Sequence, residues 1–128
     1  MIVVAIVGLA SATVAFALRD STQSQLDREA QRLVALLESA RAESRAGGVA
    51  LQWRATPEGF EFTNGVTSRP LRWEQPGTQA HSDTPLQLGP EPVIGPQSLR
   101  IWSREEPGRN RWIRTDGLRA FEVHNTPP

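Results

Sequence analysis

The chain has 128 residues, 14 Arg and Lys against 14 acids, and no Cys. That length holds one domain plus one further helical segment but not two full domains. Zero formal charge gives no global field for nucleic acid or an anionic surface, and the lack of Cys excludes disulfides and thiolate metal sites.

Met1 to Leu18 carries no charged side chain, and only Ser11 and Thr13 are polar there. As a helix it is about 27 Å long, close to the hydrocarbon thickness of a bilayer. The expected membrane and assembly surface comprises Ile2, Val3, Val4, Ile6, Val7, Gly8, Leu9, Ala12, Val14, Phe16 and Leu18. A cleaved signal peptide is the competing reading, because Ala15-Phe16-Ala17 forms an A-x-A site. Against it, no basic residue precedes the apolar run, and the helical pattern continues past it without a break.

No Gly or Pro occurs from Leu9 to Ala46. Leu26, Ala30, Leu33, Leu37 and Ala40 recur every three or four residues and line one helical face, which Val34 widens. Arg28, Gln31, Arg32, Glu38, Arg41 and Glu43 fall mostly on the remaining surface, where Glu38 and Arg41 can pair. Gly47-Gly48 ends the pattern where a positive φ is wanted. The expected organisation is residues 1–18 as a membrane half, 19–46 as an amphipathic half, and 47–128 as an antiparallel β domain.

After Gly48 the period becomes two. Leu51 and Trp53, then Phe60 and Phe62, flank the turn Thr56-Pro57-Glu58-Gly59 and predict a hairpin. Leu71 and Trp73 suggest a third strand. Residues 75–98 are Pro-rich, which predicts a long loop or short edge strands around Leu86–Leu88 and Val93–Ile94. Glu105-Glu106 beside Pro107-Gly108 reads as a charged turn. Strands are expected at Leu99–Trp102 and Arg111–Arg114, with a turn at Thr115-Asp116-Gly117 and a last strand from Leu118 to Val123.

Met1-Ile2-Val3-Val4-Ala5-Ile6-Val7-Gly8-Leu9 resembles the apolar N-terminal segment of type IV pilins and type II secretion pseudopilins. The stretch QSQLDREAQRLVALLESARAESRAGGVALQW is similar to the region after the anchor in the GspH/FimT group, with Leu33, Leu37, Ala40, Arg41, Glu43, Gly48, Val49 and Leu51 on its pattern. The closing RWIRTDGLRAFEV resembles that group's last hairpin. The prepilin leader, cleavage Gly, N-methylated Phe and following Glu of the family are not in this sequence. The resemblance places Met1 inside the mature helix, and the expectation is a start codon assigned too late.

The resemblance implies an α+β pilin-like fold, with one long helix packed on a small antiparallel β domain. It implies a minor pseudopilin of type II secretion, or a FimT/FimU-type minor pilin of type IV pili. Such a subunit sits single-pass in the inner membrane with its C-terminal domain in the periplasm. Its partners are major and minor pseudopilins and the inner-membrane assembly platform, without cofactor or small-molecule substrate.

No enzymatic constellation is legible. His81 and His124 read as exposed solvated imidazoles, and Trp53, Trp73, Trp102 and Trp112 as core. Arg109, Arg111 and Arg114, with Trp112 among them, are candidates for DNA or partner contact. Glu105, Glu106, Asp116 and Glu122 dilute that field, so a solvated or subunit-contacting strand is expected ahead of a nucleic-acid site.

Overall fold

A computed structural model describes the backbone of residues 2–128 and the side chains of residues 24–128. Helix α1 (Ile2–Gly47) is followed by eight strands. These are β1 (Leu51–Ala55), β2 (Gly59–Thr63), β3 (Ser68–Arg72), β4 (Thr78–His81), β5 (Leu86–Gly89), β6 (Gln97–Ser103), β7 (Glu106–Thr115) and β8 (Glu122–His124). They form two antiparallel four-stranded sheets, ordered β3-β2-β1-β5 and β4-β6-β7-β8, here called the first and second sheet. The α+β arrangement of one N-terminal helix on antiparallel sheets is the expected pilin-like fold. The side chains of the expected membrane half, residues 1–18, lie outside the described residues. Among the described residues no helix is long and apolar enough to cross a membrane.

Leu26, Ala30, Leu33, Leu37 and Ala40 are all buried, and Val34 packs at the margin of the same core. Their three- and four-residue spacing makes one stripe along α1, and the two sheets close over it. From the first sheet come Trp53, Phe60, Phe62, Leu86 and Leu88; from the second come Leu99, Ile101 and Ile113. The stripe ends on Ser44, which is buried and donates its hydroxyl to the Val49 carbonyl at 2.6 Å. Gly48, at φ 65°, then turns the chain out of the helix.

Several strand boundaries differ from the sequence reading. Strand β4 forms inside the Pro-rich stretch, in the Pro-free interval between Pro76 and Pro85, and lies at a sheet edge. Val93–Ile94 forms no strand; the Ile94 N–H donates instead to the Gly117 carbonyl. The turn before β7 is Arg104-Glu105, so Glu106, Pro107 and Gly108 already belong to β7. The last strand shrinks to β8, because Asp116 folds the preceding segment into a loop by accepting the N–H groups of Leu118 and Arg119. Trp73 lies just past the end of β3.

Candidate assembly surfaces

Charged side chains fasten α1 to the places where the chain crosses from one sheet to the other. The β3–β4 connection is the first such crossing. There the Glu29 carboxylate, 2% exposed, accepts the N–H groups of Glu74 and Gln75 at 2.9 and 3.0 Å through one oxygen. Its other oxygen has no hydrogen-bond donor, although the Arg32 guanidinium lies 3.6 Å away. Burial pushes the Glu29 carboxyl above its ordinary range, against the opposing pull of those N–H groups and Arg32. Arg32 also donates to the Arg72 carbonyl and pairs with Glu74.

The β5–β6 connection is the third crossing, and Arg41 holds it. Its buried guanidinium donates to the carbonyls of Arg119 (2.9 Å), Gly117 (3.0 Å) and Pro92 (3.4 Å). Glu38, paired with Arg41 at 3.5 Å, accepts the Phe121 N–H. One planar group with several donors thus satisfies carbonyls from two separate loops. Gly117 adopts φ 95°, and a Cβ there would lie 2.6 Å from the Gly95 backbone, so only glycine fits beneath the Arg41 clamp. Arg41 and Glu29 are therefore buried anchors rather than helix surface. The sequence signal was slight: both lie at the margins of the Leu26–Ala40 stripe, where a helical wheel places surface.

The four-residue cluster Arg109, Arg111, Trp112 and Arg114 is not one patch, because alternation splits β7 between two faces. Arg111 points to the helix side and pairs with Asp27 of α1 at 2.7 Å. Arg109 pairs with Glu106. Trp112 and Arg114 lie on the opposite, outer face, where Arg114 meets His124 Nδ1 at 3.0 Å. The inward register is already taken by Leu99, Ile101 and Ile113, so Trp102 and Trp112 fall outside the core. Trp53 is fully buried and Trp73 packs against the core.

The cross-strand register sets His81, Arg100, Trp112 and His124 in one row across all four strands of the second sheet. A neighbouring row holds Gln79, Trp102 and Asn110. The Arg100 guanidinium stacks 4.2 Å from the centre of the Trp102 ring. Each histidine has a carboxylate two residues away, which the sequence reading did not pair with it: His81 meets Asp83 at 3.3 Å and His124 meets Glu122 at 3.5 Å. Among the described residues no three His, Asp or Glu side chains converge as a metal site. A groove of about 550 Å³ runs beside this face between the 83–86 loop and the C-terminal segment. Arg114, Arg119, Asp83, Asp116 and Glu122 line it with charges of both signs.

An antiparallel two-sheet domain clamped onto the C-terminal part of a long N-terminal helix is the architecture of type IV pilin-like proteins. The fold is similar to that of the type IV minor pilin FimU of Pseudomonas aeruginosa, with a TM-score of 0.56 over 88% of this chain and 92% of that one. The two share 18% sequence identity, so the likeness is one of fold. No protein-family model and no curated protein matches the sequence.

Proposed function

We propose that the chain is a non-enzymatic assembly subunit of a pilin-like filament, held in the inner membrane by its N-terminal helix with its β domain in the periplasm. The observation that carries this reading is the length of α1. The helix begins at Ile2, and among the described side chains the β domain buries Leu26, Ala30, Leu33, Leu37, Ala40 and Ser44. The uncharged residues 1–18 would meet lipid and, after assembly, pack against equivalent helices. Gly8, Ala10, Ser11, Ala12 and Ala15 supply small residues for that packing.

Within this class the post-anchor pattern supports a minor pseudopilin of type II secretion, working with major and minor pseudopilins and the inner-membrane platform. A type IV minor pilin is the second reading, and the FimU-like fold is compatible with both. Deleting the gene and measuring both protein export and pilus display separates them. Loss of export with pili intact supports the pseudopilus, and the reverse supports the pilus. Normal export together with normal pili sinks both.

A further inference from the structure

We propose that the outer face of the second sheet is a contact face for a different subunit of the assembly, with Arg100 at its centre receiving a carboxylate from that subunit. The proposal rests on the assembly-subunit reading above.

The face is built unlike the rest of the surface. Two half-buried tryptophans, Trp102 and Trp112, stand beside Arg100 and Arg114, and the partly exposed amides of Gln79 and Asn110 border Trp102. Trp and Arg are the side chains most enriched where interfaces are strongest, and polar groups form the rim. Nothing in the core requires these tryptophans, because the aliphatic side chains of β6 and β7 fill the inner register.

Charge decides between kinds of partner. Arg32, Arg41, Arg54, Arg69, Arg109 and Arg111 each pair with an acid of the chain. Among the described residues Arg100 is exposed and has no carboxylate within ion-pair distance, and the Trp102 ring lies beneath it. A guanidinium held flat on an indole is pre-oriented to present its edge to a carboxylate. The row through Arg100 ends in histidines that each pair with an acid, His81 with Asp83 on one side and His124 with Glu122 on the other. Those carboxylates repel an extended phosphate backbone, and Arg100 already occupies a face of Trp102 that a base would need for stacking. A single carboxylate delivered to the centre meets neither obstacle. Two copies meeting face to face about a two-fold axis through this patch would bring Arg100 against Arg100, so the partner does not present this same face.

The test uses the full chain in the cells that make it. A benzoylphenylalanine photocrosslinker replaces Gln79 at the rim, and a second strain carries it in place of Ala12 in the N-terminal helix. The expected result is a covalent adduct from position 79 with a different pilin-like subunit, mapped to a segment bearing Asp or Glu. Arg100→Glu should abolish that adduct, and changing the mapped acid to Arg should restore it. Because Arg100 is exposed, Arg100→Glu should leave the purified full chain's melting temperature unchanged. Adducts from position 12 but none from 79 overturn the contact face and leave the assembly reading standing. A position-79 adduct with nucleic acid or with a second copy of this chain, or one that survives Arg100→Glu, also overturns it. No adduct from either position overturns both.

Discussion

The two sheets place their aromatic residues on opposite sides. In the first sheet the aromatics point inward: Trp53 and Phe60 are fully buried, and Phe60 lies 4.8 Å from the Trp73 ring and 6.1 Å from Phe62. In the second sheet the inward positions are aliphatic, Leu99, Ile101 and Ile113, and Trp102 and Trp112 point outward. Both sheets cover the same helix stripe, so packing alone does not require the difference. An inward aromatic contributes its area to folding, whereas an outward one leaves area that only a partner can bury. The first sheet thus serves mainly to hold the domain together, and the second also presents a surface.

The largest expected effect lies inside the first sheet. Phe60→Ala removes the ring that joins Trp53, Phe62 and Trp73 and leaves a cavity against α1. It should cost about 3–5 kcal/mol in denaturant unfolding. A cost below about 1 kcal/mol would mean that this cluster does not hold the sheet, contrary to its full burial. Next comes Arg41→Ala, which strips donors from the carbonyls of Arg119, Gly117 and Pro92 and leaves Glu38 without its cation. The expected loss is about 3 kcal/mol, with early amide exchange in the 116–121 loop. Gly117→Ala should cost about 2 kcal/mol through its positive φ and the clash with Gly95. If it melts like the wild type, the tight loop beneath Arg41 is wrong.

Much of this contrast was legible from residue patterns. The stripe Leu26–Ala40, the glycine stop and the hairpin around Thr56–Gly59 follow from period and turn chemistry, which act over a few residues. The outward tryptophans were legible in principle, since Trp102 follows Ile101 and Trp112 precedes Ile113, and alternation sends neighbours to opposite faces. Counting Trp as a core residue by type overrode that signal. The anchors were harder to read. Nothing local says that Glu29 will meet the backbone of residues 74 and 75, or that Arg41 will meet a loop 76–78 positions away. Those contacts depend on how two sheets close over one helix, and a helical wheel paints such residues as surface. Strand β4 was masked by its proline-rich flanks, and the 116–121 loop by a turn signal that also fits a hairpin.

A smaller effect tests the outward side of the comparison. Trp112→Ala should change unfolding free energy by less than about 1 kcal/mol, since its neighbours Arg100 and His124 are themselves partly solvated. A loss matching that of Phe60→Ala would show Trp112 to be structural and erase the distinction between the sheets.

The finest effect concerns the joint between them. Glu29 sits where the chain leaves the first sheet for the second, and burial raises its carboxyl above the ordinary value of 4.5. The folded state therefore favours the protonated form. That contribution is fully present below 4.5 and is lost as pH rises through the higher folded value. Glu29→Gln keeps an acceptor for the N–H groups of Glu74 and Gln75 but removes the titration. Its stability relative to the wild type should rise between the ordinary carboxyl value and neutrality. Asp116 works the other way: N–H donors from Arg119 and Leu118 hold its carboxyl below the ordinary range, so it adds stability that is lost as pH falls. That contribution is common to both proteins and cancels in the difference. Urea midpoints measured in pairs across that pH interval check the sign. A wild type that gains on Glu29→Gln as pH rises would mean that the two N–H donors and Arg32 outweigh burial, making Glu29 an ionic lock between the sheets.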